Sequence, residues 1–145
     1  MTKNNLLKRG IDRNPHCLFC SEQETVNHLF FDCVVAKNVW GAVSSFLSIE
    51  IGSSYFSIAK FWPANKKHEV LNAFCACVLW SLWKTRNKHV FDNAIWSDVK
   101  QIWWLVWRTL KRCMILYTKD SLEKMQGILH WISCILKNPL QLTLE

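Results

Sequence analysis

The stretches Cys17-Leu-Phe-Cys20 and Glu24-Thr-Val-Asn-His28-Leu-Phe-Phe-Asp-Cys33 decide the fold of the first part of this chain. Their spacing, C-x2-C-x7-H-x4-C, offers three thiols and one imidazole, which is a complete tetrahedral ligand set for zinc. Buried cysteines that only pack, beside a hydrogen-bonded core histidine, are the alternative interpretation. Because all four side chains fall at ligand spacing, we predict one structural Zn2+ held by Cys17, Cys20, His28 and Cys33. Four protein ligands leave no position for a reactive water, and the ion would supply folding free energy to a segment with little core.

The composition predicts one packed domain, or a small module joined to a helical one. The chain has 145 residues, 50% of them hydrophobic, with nine Trp and eight Phe. So much aromatic surface is atypical of disordered chains. The net charge of +7 favours polyanionic partners, nucleic acid before an anionic membrane surface.

The cysteine count and the N-terminal residues predict a reduced, intracellular protein that is not secreted. Seven cysteines are an odd number, and the first residues do not form a secretory signal, so a disulfide scaffold is disfavoured. The longest uncharged run, 70–83, is too short to span a bilayer, which takes about 20 residues. We therefore expect no transmembrane segment, and both nucleus and cytoplasm remain open as locations.

Several stretches of the chain resemble a known family: Thr2-Lys-Asn-Asn-Leu6-Leu-Lys-Arg9-Gly-Ile11, Cys17-Leu-Phe-Cys20, 24–33 and Val39-Trp40. They resemble the zinc-binding domain that follows reverse transcriptase in plant non-LTR (LINE-type) retrotransposons. A later stretch, 82–91, is similar to the Trp-x2-Arg-Asn-x3-Phe segment found downstream in such elements. The resemblance implies the same four metal ligands and an ancestral role in nucleic-acid handling during retrotransposition. Two features depart from the family: Ser21 stands where relatives commonly have Gly, and the Trp-rich upstream segment is missing.

Hydrophobic periodicity and capping residues predict a mainly α chain, a small CCHC zinc-knuckle-like module followed by a Trp-rich helical bundle. We expect a zinc-binding module with flanking helices at 1–47, a linker at 48–67 with one helical turn at 57–62, and a three-helix bundle region at 68–145. The predicted helices are 2–9, a short helix that carries His28 and begins at Ser21 or at Thr25, 34–47, 68–91, 97–117 with Ser97 as its N-cap, and 120–137.

Basic residues near aromatic ones are the candidate nucleic-acid contacts. On helix 97–117, one face holds Trp104 within a basic stripe, while Trp103 and Val106 point away. Further Lys and Arg lie in the N-terminal arm and near the end of helix 68–91. The candidates are Lys8, Arg9, Arg13, Lys84, Arg86, Lys88, Lys100, Trp104, Arg108, Lys111 and Arg112. A solvated basic face, an aromatic core and a membrane-surface helix are the alternatives for these residues.

No catalytic constellation is recognisable in the sequence. The acidic residues are scattered, with no adjacent pair, and there is neither a phosphate-binding Gly loop nor a Gly-x-Ser-x-Gly elbow. We therefore predict a non-enzymatic, zinc-stabilised module, derived from a retrotransposon, that binds RNA or DNA. The alternatives are a helical module that docks on another protein through an exposed aromatic surface, and a decayed fragment without a selected function.

Overall fold

Helices form the fold of residues 2–11, 14–61 and 66–138, which are the residues that this computed structural model describes. None of them forms a strand, so the prediction of a mainly α chain with a zinc-type module and a helical bundle is confirmed. The α-helices are α1 (Lys3–Leu7), α2 (Val34–Leu47), α3 (Tyr55–Ala59), α4 (Glu69–Phe91), α5 (Lys100–Cys113) and α6 (Lys119–Lys137). Short turns of other helix types are the π turn His28–Asp32 and the 3-10 turns Lys66–His68 and Met114–Leu116.

In the bundle, α5 packs against both α4 and α6. The helix α4 also contacts α6 and the π turn His28–Asp32. It runs for 23 residues without Gly or Pro, and Phe74 and Val78 are fully buried one turn apart. The side chains that close the core from α5 and α6 are also apolar: Ile102, Trp103, Val106, Leu110, Met125, Ile128 and Ile132. Trp131 joins the three helices, because its ring meets those of Trp103 and Phe74 edge to face at 5.2 and 6.3 Å.

Most of the predicted helix bounds agree with the structure within one residue, and the bounds of α1 and α5 do not. The helix α1 ends at Leu7, two residues before the predicted end at Arg9. The bounds of α2 are those predicted, and α4 and α6 each differ from prediction by one residue at the N-terminus. The helix α5 begins at Lys100, because the Asp98 carboxylate accepts the Lys100 N–H at 2.8 Å. The predicted N-cap, Ser97, instead accepts a hydrogen bond from the Gln101 side chain at 2.8 Å. The predicted C-terminal part of this helix is the 3-10 turn Met114–Leu116.

The segment predicted to be a linker contributes to the core. Ile51 and Ile58 are buried, and α3 is fixed by a reciprocal capping box between Ser54 and Ser57. Gly52 has a φ of +85°, and a Cβ there would clash with the ring of Trp40. The helical turn predicted at 57–62 corresponds to α3, which begins two residues earlier, and Trp62 lies outside the described residues. The domain boundaries themselves stay a prediction.

Among the described residues, none of the helices combines the length and the apolar character that a membrane crossing requires.

Candidate metal centre

A hairpin-like loop carries the first two thiols. Its backbone is closed by the Cys17 N–H bonded to the Glu22 carbonyl at 2.7 Å and by the Glu24 N–H bonded to the Pro15 carbonyl at 2.9 Å. At the tip of this loop, the Phe19 N–H points at the Cys17 sulfur at 3.4 Å. The chain therefore reverses between the cysteines, and both sulfurs lie on the same side of the turn.

The other two donors flank a π turn. Residues five apart on an α-helix point about 140° away from each other, which would separate His28 from Cys33. The wider i to i+5 turn, closed by the Cys33 N–H on the His28 carbonyl at 2.8 Å, brings these residues to the same side. The Thr25 hydroxyl accepts the His28 N–H at 3.0 Å, so the cap is Thr25 and the alternative box at Ser21 is wrong.

The four predicted donors lie together. Their ligand atoms are all within 4.8 Å of one another, and no other group of three or more His, Cys, Asp or Glu side chains with metal-binding geometry occurs in the described part of the chain. The sulfurs of Cys17 and Cys33 are 3.7 Å apart, and the Cys20 sulfur is 3.2 Å from the His28 Nε2. A disulfide would need about 2.05 Å between sulfurs. A tetrahedral zinc ion with Zn–S bonds of about 2.3 Å holds its sulfurs roughly 3.8 Å apart, so the donor set fits zinc.

Burial and hydrogen bonding separate the pKa values of the thiols. The hydrogen bond from the Cys33 thiol lowers the pKa of Cys17 to about 5, and the same bond raises the pKa of Cys33. Burial raises the pKa of the Cys20 thiol. Metal ions bind cysteines as thiolates, so a cation bound to this cluster would displace the protons of these thiols.

The remaining cysteines of the bundle do not join this cluster. Cys75 and Cys77 are buried in α4, and burial raises the pKa of each thiol to about 12.

A buried ion pair connects the loop of the candidate metal centre to α4. The Arg86 guanidinium bonds both oxygens of the Glu24 carboxylate, Nη2 to Oε1 at 2.5 Å and Nε to Oε2 at 3.2 Å. Oε1 also accepts the Lys3 N–H at 2.8 Å, so the same carboxylate holds the first turn of α1. The prediction that Arg86 contacts nucleic acid is contradicted, because this residue is only 1% exposed and its charge is already paired.

An aromatic contact makes a second connection between the loop and the bundle. Phe19, which lies between the two loop cysteines, packs against Trp96 at 4.7 Å and meets His89 edge to face at 6.4 Å between ring centroids. Trp96 and His89 also touch each other at 5.7 Å. The metal-centre loop is thus packed on the segment that joins α4 to α5.

The other predicted nucleic-acid residues fall into two groups. A groove between α4 and α5 is lined by Lys84, Lys88, Lys100, Trp104 and Arg108, together with other residues. Outside the groove, the exposed candidates are Lys8, Arg9, Lys111 and Arg112. Arg13 lies outside the described residues.

A comparison with known families identifies the region that holds the cluster. Residues 1–40 match the family model for zinc-binding in reverse transcriptase. This match confirms the resemblance to a zinc-binding domain of reverse transcriptase, and the matched residues include all four donors. The match ends within α2, so α3 to α6 lie outside it. No curated protein and no solved structure matches the chain significantly.

Sequence reasoning missed the part that Glu24 and Arg86 play together. Both residues lie in the stretches that resemble the retrotransposon family, Glu24 beside Thr25 and Arg86 in the Trp-x2-Arg-Asn-x3-Phe segment. The sequence signal for an ion pair was that one motif contains an acidic residue and the other a basic residue. Nothing in the spacing revealed that they meet across 62 positions of chain.

Proposed function

We propose that this chain is a non-catalytic, zinc-stabilised module that binds RNA or DNA and derives from a retrotransposon. The observation that carries the proposal is the convergence of Cys17, Cys20, His28 and Cys33 within 4.8 Å, in a region that matches zinc-binding in reverse transcriptase. One ion with four protein ligands has no open coordination position, so its role is structural.

The bound ion would act by ordering the loop that carries Glu24 and Phe19. Glu24 holds Arg86 on α4, and Phe19 holds Trp96 in the segment between α4 and α5. Ordering this loop fixes both contacts at once. The zinc-binding region would therefore set the position of α1 and of its own loop on the bundle.

Nucleic-acid binding is supported by charge and by its distribution. The chain carries a net charge of +7, and Lys84 and Lys88 of α4 line the same groove as Lys100 and Arg108 of α5. Cations close together on one surface attract phosphates and displace the counterions that surround them. Two separate stretches of sequence thus contribute to one basic surface.

Binding of a fluorescent oligonucleotide to the zinc-loaded chain tests the proposal. We expect binding at low salt, an affinity that falls steeply as salt is added, and loss of affinity in Cys20→Ser. The matched control is Cys134→Ser, which replaces an exposed cysteine of α6 outside the cluster and should bind like the unaltered chain. Absence of binding at low salt, or affinity that ignores salt, would refute the nucleic-acid function.

A protein partner is the second candidate, because Ile115 and Leu116 are adjacent and largely exposed at the turn between α5 and α6. Exposed apolar neighbours of this kind occur at protein contacts. In sedimentation experiments, this candidate predicts association that Ile115→Ser with Leu116→Ser abolishes. A monomeric unaltered chain at all concentrations would count against self-association through this turn.

A further inference from the structure

We infer that the groove between α4 and α5 is a binding site for single-stranded nucleic acid, with bases stacked on Trp104 and phosphates held by the surrounding cations. The inference rests on the proposed nucleic-acid function and assigns that function to one place. It also selects single strands over duplex.

The charges of the groove suit a phosphate backbone. Its volume is about 1050 Å3, and cations line it from both helices, Lys84 and Lys88 from α4 with Lys100 and Arg108 from α5. Two acids, Asp92 and Asp98, also line it, and the Asp98 carboxylate accepts the Lys100 N–H. The Lys100 ammonium bonds the Leu136 carbonyl at 3.3 Å, which fixes this cation on the groove wall.

Aromatic rings lie among these cations. Trp104 of α5 is 50% exposed and Phe91 of α4 is 52% exposed, and both line the groove. The Arg108 guanidinium lies over the Trp104 ring at 5.2 Å, which places a phosphate-binding group beside a stacking surface. Every base has a π face, so such a surface accepts bases of any sequence, and stacking requires bases that are not already paired in a duplex.

Hydrogen bonds between the two helices and the segment that joins them hold the groove in shape. The two ring nitrogens of His89 face the Ala94 carbonyl and the Gln101 side chain. The Gln101 amide donates to the Ile95 carbonyl at 3.2 Å. These bonds fix the segment between α4 and α5 against both helices, so less ordering is needed when a strand binds.

The shape of the groove also favours single strands. Proteins that read duplex DNA through a helix insert that helix into a major groove about 12 Å wide. Here the cations and rings line a concave surface between two helices, and the volume is near the upper end of small-ligand pockets, roughly 300–1000 Å3. Such a concavity has room for a few splayed nucleotides, whereas proteins that read duplex DNA in this way present a convex helix to the major groove.

The test measures fluorescence anisotropy of the full zinc-loaded chain with labelled DNA or RNA strands of about 12 nucleotides, a length within known single-strand site sizes, and with a duplex of the same length. We expect single strands to bind more tightly, and Trp104→Ala to weaken that binding by about tenfold. Lys84→Gln together with Lys88→Gln should make the slope of log K against log salt shallower by about 1.4, for two lost phosphate contacts. The DNA and RNA arms show which strand is preferred.

Two matched controls lie outside the groove. Phe56→Ala removes an exposed aromatic ring from α3, and Lys124→Gln removes an exposed charge on α6. Both variants should bind like the unaltered chain. Trp104→Phe, which keeps an aromatic ring, should recover part of the affinity and serves as the test if Trp104→Ala does not fold.

The outcomes separate the inference from the function on which it rests. Absence of binding to every oligonucleotide at low salt overturns nucleic-acid binding altogether. Binding that survives in both groove variants, equal losses in groove and control variants, or duplex binding as tight as single-strand binding overturns the groove assignment alone.

Discussion

The loop region that holds the candidate metal centre, residues 14–33, and the bundle of α4 to α6 bury different kinds of side chain. In the loop region, the buried groups include Glu24, His28 and the thiols of Cys17 and Cys33. In the bundle, they are mainly apolar, as with Trp103 and Leu110. A region whose buried groups are polar gains stability only if those groups are paired or bound to an ion, whereas apolar burial is favourable without a partner. The two regions should therefore respond to different perturbations.

Metal removal is expected to have the largest effect, and mainly on the loop region. In small modules of this kind, structural zinc contributes on the order of 10 kcal/mol or more at neutral pH. We expect chelation to abolish the protection of amides in 14–33 from hydrogen exchange, while amides of α4 to α6 stay protected. Unchanged protection in the loop region after chelation would show that packing alone holds it.

Breaking the connection between the two regions should have the next largest effect. Glu24→Ala leaves the Arg86 guanidinium buried and unpaired, and the expected loss is about 3–5 kcal/mol in the free energy of unfolding. Denaturant titration measures it. Glu123→Ala, which removes an exposed carboxylate from α6, is the control and should leave stability nearly unchanged. Adding Arg86→Met to Glu24→Ala should recover part of the loss, and no recovery would argue against an unpaired charge as its cause.

A core truncation in the bundle should destabilise the protein without affecting the metal. Leu110 is fully buried on α5, so Leu110→Ala should cost about 2–5 kcal/mol by leaving a cavity. Thermal unfolding reports the loss, and zinc content should stay at the value of the unaltered chain. If this variant lost zinc as readily as a ligand variant, the two regions would not be separable.

The smallest effect is expected at the cap of the π turn. The Thr25 hydroxyl accepts the His28 N–H, and loss of a capping bond costs about 1 kcal/mol. Thr25→Ala should therefore weaken zinc binding by roughly fivefold if the cap serves to hold His28 in place. Competition with a chromophoric chelator measures this affinity. Ser21→Ala is the control and should not change it.

The local features of the candidate site could be predicted from the sequence, and the long-range ones could not. The donors fall within 17–33, so their spacing alone was enough to group them. The bounds of α2 followed from periodicity for the same reason. The π turn was missed because it adds one residue to a turn, a change that a helical pattern does not register, although the four residues between His28 and Cys33 hinted at it.

Arg86 shows most clearly why the rest escaped prediction. On the helix alone, it lies between Lys84 and Lys88 and looks like part of a basic surface. The fold places Glu24, 62 positions away in the sequence, against Arg86. This residue, a candidate phosphate contact in the sequence, therefore forms a buried ion pair in the structure. The groove could not be predicted from the sequence for the same reason, because Lys88 and Arg108 line it together but belong to different helices.

Metal analysis of the purified chain tests the central claim most directly. Our account predicts one zinc ion per chain, its loss in Cys20→Ser, and its retention in Cys134→Ser, which lies outside the cluster. Zinc retained by Cys20→Ser at the same stoichiometry and with unchanged stability would contradict the assignment of Cys17, Cys20, His28 and Cys33 as the metal centre.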